Sequence, residues 1–169
     1  MQMPVQKNYK HSVVLMKIRL FEPKDLNTIV NLYIGTVHEV NRKDYSDMHL
    51  NALAPKNMDY YSNWSDLLTA NTTLVATKNQ KIIGFGTLSH VGEIHFLYSH
   101  MDYQGKGAAS VLLQALEETA KEADHKCLSV CTGITAKPFF IKKGYTLITE
   151  HYVSIDPMLF INYKMKKQL

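Results

Sequence analysis

From residue 24 to residue 40, apolar Leu26, Ile29, Val30, Tyr33, Ile34 and Val37 recur at steps of three and four. That spacing puts them on one stripe of an amphipathic helix. Ahead of it, residues 16–21 (MKIRLF) read as a first strand closed by Pro23. Residues 41–70 hold one or two shorter helices broken near Pro55, with Tyr60, Tyr61, Trp64, Leu67 and Leu68 available to pack. The period then changes. Residues 72–78 (TTLVATK) and 81–90 (KIIGFGTLSH) predict strands joined by a tight Asn79-Gln80 turn, a hairpin, with a third strand at 93–99 (EIHFLYS). A polar loop follows, and then Ala108, Val111, Leu112, Ala115, Leu116, Thr119 and Ala120 mark the stripe of the clearest helix. A strand at 127–131, a short helix around 137–142 ended by Gly144, and strands near 146–155 and 158–166 complete the chain. The order describes an α+β domain, a mixed sheet covered by helices. No repeat or linker divides it, so residues 16–169 form one domain and residues 1–15 an N-terminal extension.

Composition narrows the class. With 46% hydrophobic and 20% charged residues in 169, the chain can bury a real core. No apolar run reaches the roughly 20 residues that cross a bilayer. The N-terminus lacks a signal peptide's apolar stretch, so the expectation is a soluble, cytoplasmic protein without a membrane partner. A net charge of +4 with no recognition motif argues against nucleic-acid binding. Cys127 and Cys131 lie four residues apart in one strand, a span of about 13 Å that no disulfide bridges. They read as core thiols. The histidines show no metal-ligand spacing, and no metal is expected.

The segment Gln104-Gly-Lys-Gly-Ala-Ala109 lies between a strand and a strong helix. Gly105 and Gly107 let several N–H groups converge, and the helix N-terminus adds partial positive charge. Such converging amides make a concave anion site. Lys106 offers a point charge. The spacing fits neither the P-loop nor the dinucleotide fingerprint.

The stretch EIHFLYSHMDYQGKGAASVLLQALE resembles the principal cofactor motif of the GNAT N-acetyltransferase superfamily. Gln104, Gly107 and Ala109 occupy its signature positions, and Ser99 replaces the usual Val. The stretch Ala136-Lys-Pro-Phe-Phe-Ile-Lys-Lys-Gly-Tyr145 is similar to the family's second motif, in its small bacterial subgroup with Pro-Phe-Phe. The resemblance implies a mostly antiparallel, mixed sheet of about seven strands flanked by helices, splayed between the strands at 93–99 and 127–131. It implies acetyl-CoA as cosubstrate in that cleft. Leu97, Tyr98 and Ser99 would then line the pantetheine arm, the backbone groups of Leu97 and Ser99 pairing with it. Gln104, Gly105, Lys106, Gly107, Ala108, Ala109 and Ser110 would hold the pyrophosphate, and Phe139 and Phe140 would pack beneath the arm.

Acetyl transfer to an amine needs a base. Glu93 stands eleven residues before Gln104, where histone-acetylating members of the family place their glutamate. It is the first candidate, directly or through water, and His95 the second. An unbroken strand would put Glu93, His95 and Leu97 on one face. The family's thiolate-protonating tyrosine is replaced here by Phe140, which leaves Tyr145, Tyr163 or water for that role. Residues 38–70 offer Glu39, Asp44, Asp47, Asp59 and Asp66 beside Tyr45, Tyr60, Tyr61 and Trp64, a set suited to a cationic amine. The expected partner is a small-molecule or peptide amine, and the protein a monomer or homodimer. A non-catalytic acyl-CoA-binding module is the competing reading.

Overall fold

The structure, a computed structural model, describes residues 7–11 and 14–169, with side chains from Leu15 onward. Eight strands form one sheet: β1 Lys7–His11, β2 Val14–Leu20, β3 Thr72–Lys78, β4 Lys81–Leu88, β5 Glu93–Ser99, β6 Cys127–Thr132, β7 Thr146–Ile155 and β8 Met158–Gln168. Their spatial order is β1-β2-β3-β4-β5-β6-β8-β7. All neighbours are antiparallel except β5 and β6, which run parallel. The mixed, mostly antiparallel sheet is the one expected, with β1 as an additional strand. Of the expected extension 1–15, residues 1–6, 12 and 13 lie outside the described residues, while β1 pairs along β2.

Helices α1 Leu26–Val40, α2 Asp47–Leu53 and α3 Trp64–Ala70 precede the hairpin; α4 Ala108–Glu122 and α5 Lys137–Lys142 follow β5 and β6. The Asn79-Gln80 turn has both residues at positive φ, 49° and 66°, the geometry that matches a two-residue hairpin to strand twist. Each face of the sheet buries its own core. One packs α4 through Leu112 and Leu116 onto Ile83, Leu128 and Met165. The other packs α1–α3 through Ile29, Val37, Trp64 and Leu68 onto Val75 and Phe85. An added Cβ at Gly84 would sit 2.9 Å from Leu112 Cδ1; a bare backbone there lets α4 press onto β4 and fixes its N-terminus over the sheet. Among the described residues no helix is long and apolar enough to cross a membrane.

The entry to α1 is pinned by charge. Arg19 donates two hydrogen bonds to Asp25, at 2.7 and 2.9 Å, and the Glu22 N–H donates a third at 2.8 Å. Burial by itself would raise the Asp25 pKa, but the Arg19 and Glu22 donors outweigh it and hold the carboxyl below its ordinary value. Because the folded value lies below the unfolded one, the stabilisation is full above about pH 4 and is lost as pH falls further. Asp25→Asn should lower stability by roughly 2–3 kcal/mol at neutral pH. Thermal melts across pH check this: the gap between wild type and variant should close on acidification.

Candidate active site

The sheet forks in the middle. β5 pairs with β6 only at Glu93↔Ser129 and Ile94↔Val130, then the strands part. The His100 N–H donates to the Ile83 carbonyl at 2.8 Å, and antiparallel pairs alternate between bonded and non-bonded. Counting back along β5, Leu97 opposite Gly86 and Ser99 opposite Gly84 are the non-bonded pairs. Their backbone groups therefore point away from β4, into the space between the strands. One correction follows. The Ser99 carbonyl, expected to pair with pantetheine, already accepts from Thr36 Oγ1 at 3.0 Å and from the Gln104 amide at 2.7 Å. The N–H and C=O of Leu97 and the N–H of Ser99 remain for an added chain.

Gln104 donates a further bond to Ser99 Oγ at 2.9 Å, so its side chain staples the loop to the end of β5. Past it, Gly105 and Gly107 adopt φ of +69° and +88°, values that few residues with a Cβ tolerate. Those two reversals aim the loop amides at one point ahead of α4. Lys106 N–H turns back to the Tyr103 carbonyl at 3.3 Å, and the first helical bond of α4 is Val111 N–H to the Gly107 carbonyl at 3.0 Å. The N–H groups of Gly105, Gly107, Ala108, Ala109 and Ser110 have no protein acceptor among the described residues. They line a cavity of about 590 Å3. Lys106 Nζ donates to the Asp102 carbonyl at 2.8 Å and lies 5.2 Å from the Tyr103 ring centroid, at the rim.

A second cavity, of about 320 Å3, occupies the fork. Ser99, Gln104, Ala109 and Phe139 belong to both, so the two make one cleft. Every residue expected to hold the cofactor lines it: Leu97, Tyr98, Ser99, Phe139 and Phe140 along the fork and 104–110 at the anion shelf. A diphosphate fits the free amides and an extended arm fits the unpaired strand edge.

The bases are arranged differently from a regular strand. The register slips between Thr87 and Leu88, which face Phe96 and Ile94, so His95 is an extra residue in β5. Such a bulge re-aims side chains. Ile94 and Leu97 consequently both join the α4-side core, while Phe96 and Tyr98 join the other. Unbroken alternation would have put Glu93 and Leu97 on one face; with the bulge they lie on opposite faces. It lies beside Cys131 on the face turned away from α4. His95 lines the fork, and its Nε2 is 3.8 Å from Glu93 Oε2, both side chains about a third exposed (35% and 37%). Alternation already puts Glu93 and His95 on one face; the departure of Leu97 from that face is not legible in the sequence, because a bulge leaves no residue signature.

Tyr145 is a second correction. It is 2% exposed within the α4-side core, its hydroxyl donates to Glu117 Oε1 at 3.1 Å, and it lines neither cavity. Burial and then the Glu117 charge push its pKa well up, which makes it a core hydrogen bond rather than a proton donor to the cleft. Tyr145→Phe should leave kcat within about twofold while costing roughly 1 kcal/mol of stability, read from paired assays and melts. Tyr163 is likewise outside both cavities.

The cysteines are free, as spacing required, but they are not core thiols. Leu128 and Val130 point inward from β6, and alternation turns Cys127 and Cys131 outward. Burial chiefly, and then the charge of Glu93, push the Cys131 thiol up. The acidic residues expected near the acceptor also fall elsewhere. Glu39, Asp44, Asp47, Asp59 and Asp66 are exposed and line neither cavity, while Tyr61 and Trp64 are core. Amphipathic helices sort these side chains: carboxylates outward, aromatics in. Of that set only Tyr45 lines the fork. No cluster of metal-ligating side chains occurs among the described residues.

This forked sheet with its amide shelf defines an acyltransferase of the GNAT class. The GNAT acetyltransferase domain model matches residues 41–167, and the chain belongs to that family. It is an N-acetyltransferase that uses acetyl-CoA. It is 28% identical over 152 residues to the uncharacterized N-acetyltransferase YafP of Escherichia coli K12, covering 89% of this chain and 95% of that protein. A GCN5-related N-acetyltransferase of Rhodopseudomonas palustris superposes with a TM-score of 0.88 at 28% identity, covering 95% of this chain and all of that one. The PaiA N-acetyltransferase of Thermoplasma acidophilum, solved in complex with coenzyme A, shares the fold with a TM-score of 0.71 at 20% identity, over 91% of this chain and 99% of that one.

Proposed function

We propose that the chain moves the acetyl group of acetyl-CoA directly to a primary amine, with the His95–Glu93 pair taking the amine's proton. The observation that carries this reading is a row of unpartnered amides, 105 and 107–110, opening onto an unpaired strand edge. The amides would hold the pyrophosphate and the Leu97 N–H would bind the thioester oxygen, where negative charge develops. His95, facing the fork, accepts the proton from the ammonium; Glu93 at 3.8 Å orients the ring and offsets the charge it gains. The amine nitrogen then bonds the acetyl carbon as the C–S bond breaks. Phe140 donates nothing, so the thiolate, of pKa about 8.5, leaves as such or takes a proton from water. Tyr45, a phenol lining the fork, is the candidate side-chain source of that proton.

The test is thiol release from acetyl-CoA against an amine panel, with the acetylated product identified by mass spectrometry. Amine-dependent release with matching product supports the reading. Tight CoA binding with no product on any amine would instead establish the non-catalytic module that Phe140 suggests.

A further inference from the structure

Beyond the thioester end, the fork cavity is walled by Val40, Leu53, Phe96, Val153, Ile155 and Phe160. Its polar lining there includes Asn41, Tyr45 and Asn162; besides the phenols, the cavity's ionisable groups are His95, Lys43 and the Cys131 thiol, which burial pushes up. Among the described residues no carboxylate lines it. Glu93 stands behind His95, and Asp44 on the rim is engaged by Thr135 Oγ1 at 2.7 Å. Tyr45 and Phe160 pack on each other, centroids 5.5 Å apart. A second ammonium entering this space would leave water, meet Lys43 and find no carboxylate on the lining, which the low-dielectric wall makes costly. An apolar body would be stabilised by the area it buries.

From this lining, and resting on the transferase reading above, we infer that the acceptor is a compact primary amine on an apolar body with no second positive charge. The same wall disfavours polyamines and aminoglycosides. The cavity, about 320 Å3 and shared with the thioester end, has room for a compact amine.

The experiment measures both binding to the CoA-loaded protein and acetyl transfer for phenethylamine, isoamylamine, spermidine and kanamycin. The apolar monoamines should bind and turn over with kcat/KM at least about 100-fold above the polycations, a difference within reach of one uncompensated charge. Asn162→Asp adds a carboxylate to the lining without changing volume, and should shift the spermidine-to-phenethylamine ratio by about tenfold toward spermidine. Preferential binding of monoamines without thiol release would uphold the ligand class of the cavity and overturn the transferase reading. Spermidine or kanamycin binding the CoA-loaded protein as tightly as the monoamines, or no binding by either class, would overturn the inference. So would an Asn162→Asp ratio that does not move.

Discussion

Gly107→Val is expected to weaken CoA binding by roughly 100- to 1,000-fold, the equivalent of about 3–4 kcal/mol. Gly107 caps α4 at φ +88°, a conformation that costs a residue with Cβ about 1–2 kcal/mol and a β-branched one more. The valine relieves that strain by rotating its peptide, which swings the amides of 107 and 108 off the shelf. Each hydrogen bond to a charged phosphate that is lost removes about 1.5–3 kcal/mol. Gly105→Ala is the internal control. Its φ of +69° is also strained, but an added Cβ meets nothing within 4 Å, so the loss should stay below about tenfold. Calorimetric titration of both variants with CoA separates the two effects. A Gly107→Val affinity equal to that of the wild type would show that the phosphates bind elsewhere.

His95→Ala should lower kcat by about 100- to 10,000-fold, the range that a positioned proton acceptor supplies, with the Kd for CoA within about threefold of wild type. The side chain lines the fork, while the amide shelf is built from the separate segment 104–110. Glu93→Gln keeps the shape of the partner and removes its charge, so its loss should be smaller and should largely vanish in a His95→Ala background. That non-additivity is what a coupled pair produces. Full additivity would make the two residues independent, and an unchanged kcat in His95→Ala would remove it as the base. Steady-state thiol release across the four proteins gives the answer.

What was legible in the chain follows from period and from glycine. The hairpin at 72–88 and helix α4 have a single periodicity over many residues, and the tertiary structure had no reason to override it. The loop of unpartnered amides was legible because two glycines in three positions ahead of a strong helix leave few other backbone paths. The site's interior was not. A one-residue slip at His95 reverses which face Glu93 occupies, and no residue type announces a bulge. Ser99 reads as an ordinary edge residue until Thr36 and Gln104, far apart in sequence, converge on its carbonyl. Tyr145 looked like a proton source because its reach toward Glu117 depends on how α4 packs on the end of the second motif. The acidic run at 39–66 drew attention by composition, yet helices turn such side chains to water.

In the proposed reaction, main-chain amides at the start of α4 grip a diphosphate beside the fork. A backbone NMR titration with CoA observes those amides directly. The largest downfield amide-proton shifts should fall on Gly105, Gly107, Ala108, Ala109 and Ser110, accompanied by shifts at Leu97 and Ser99. Unmoved resonances across 105–110, with CoA nonetheless bound, would contradict it.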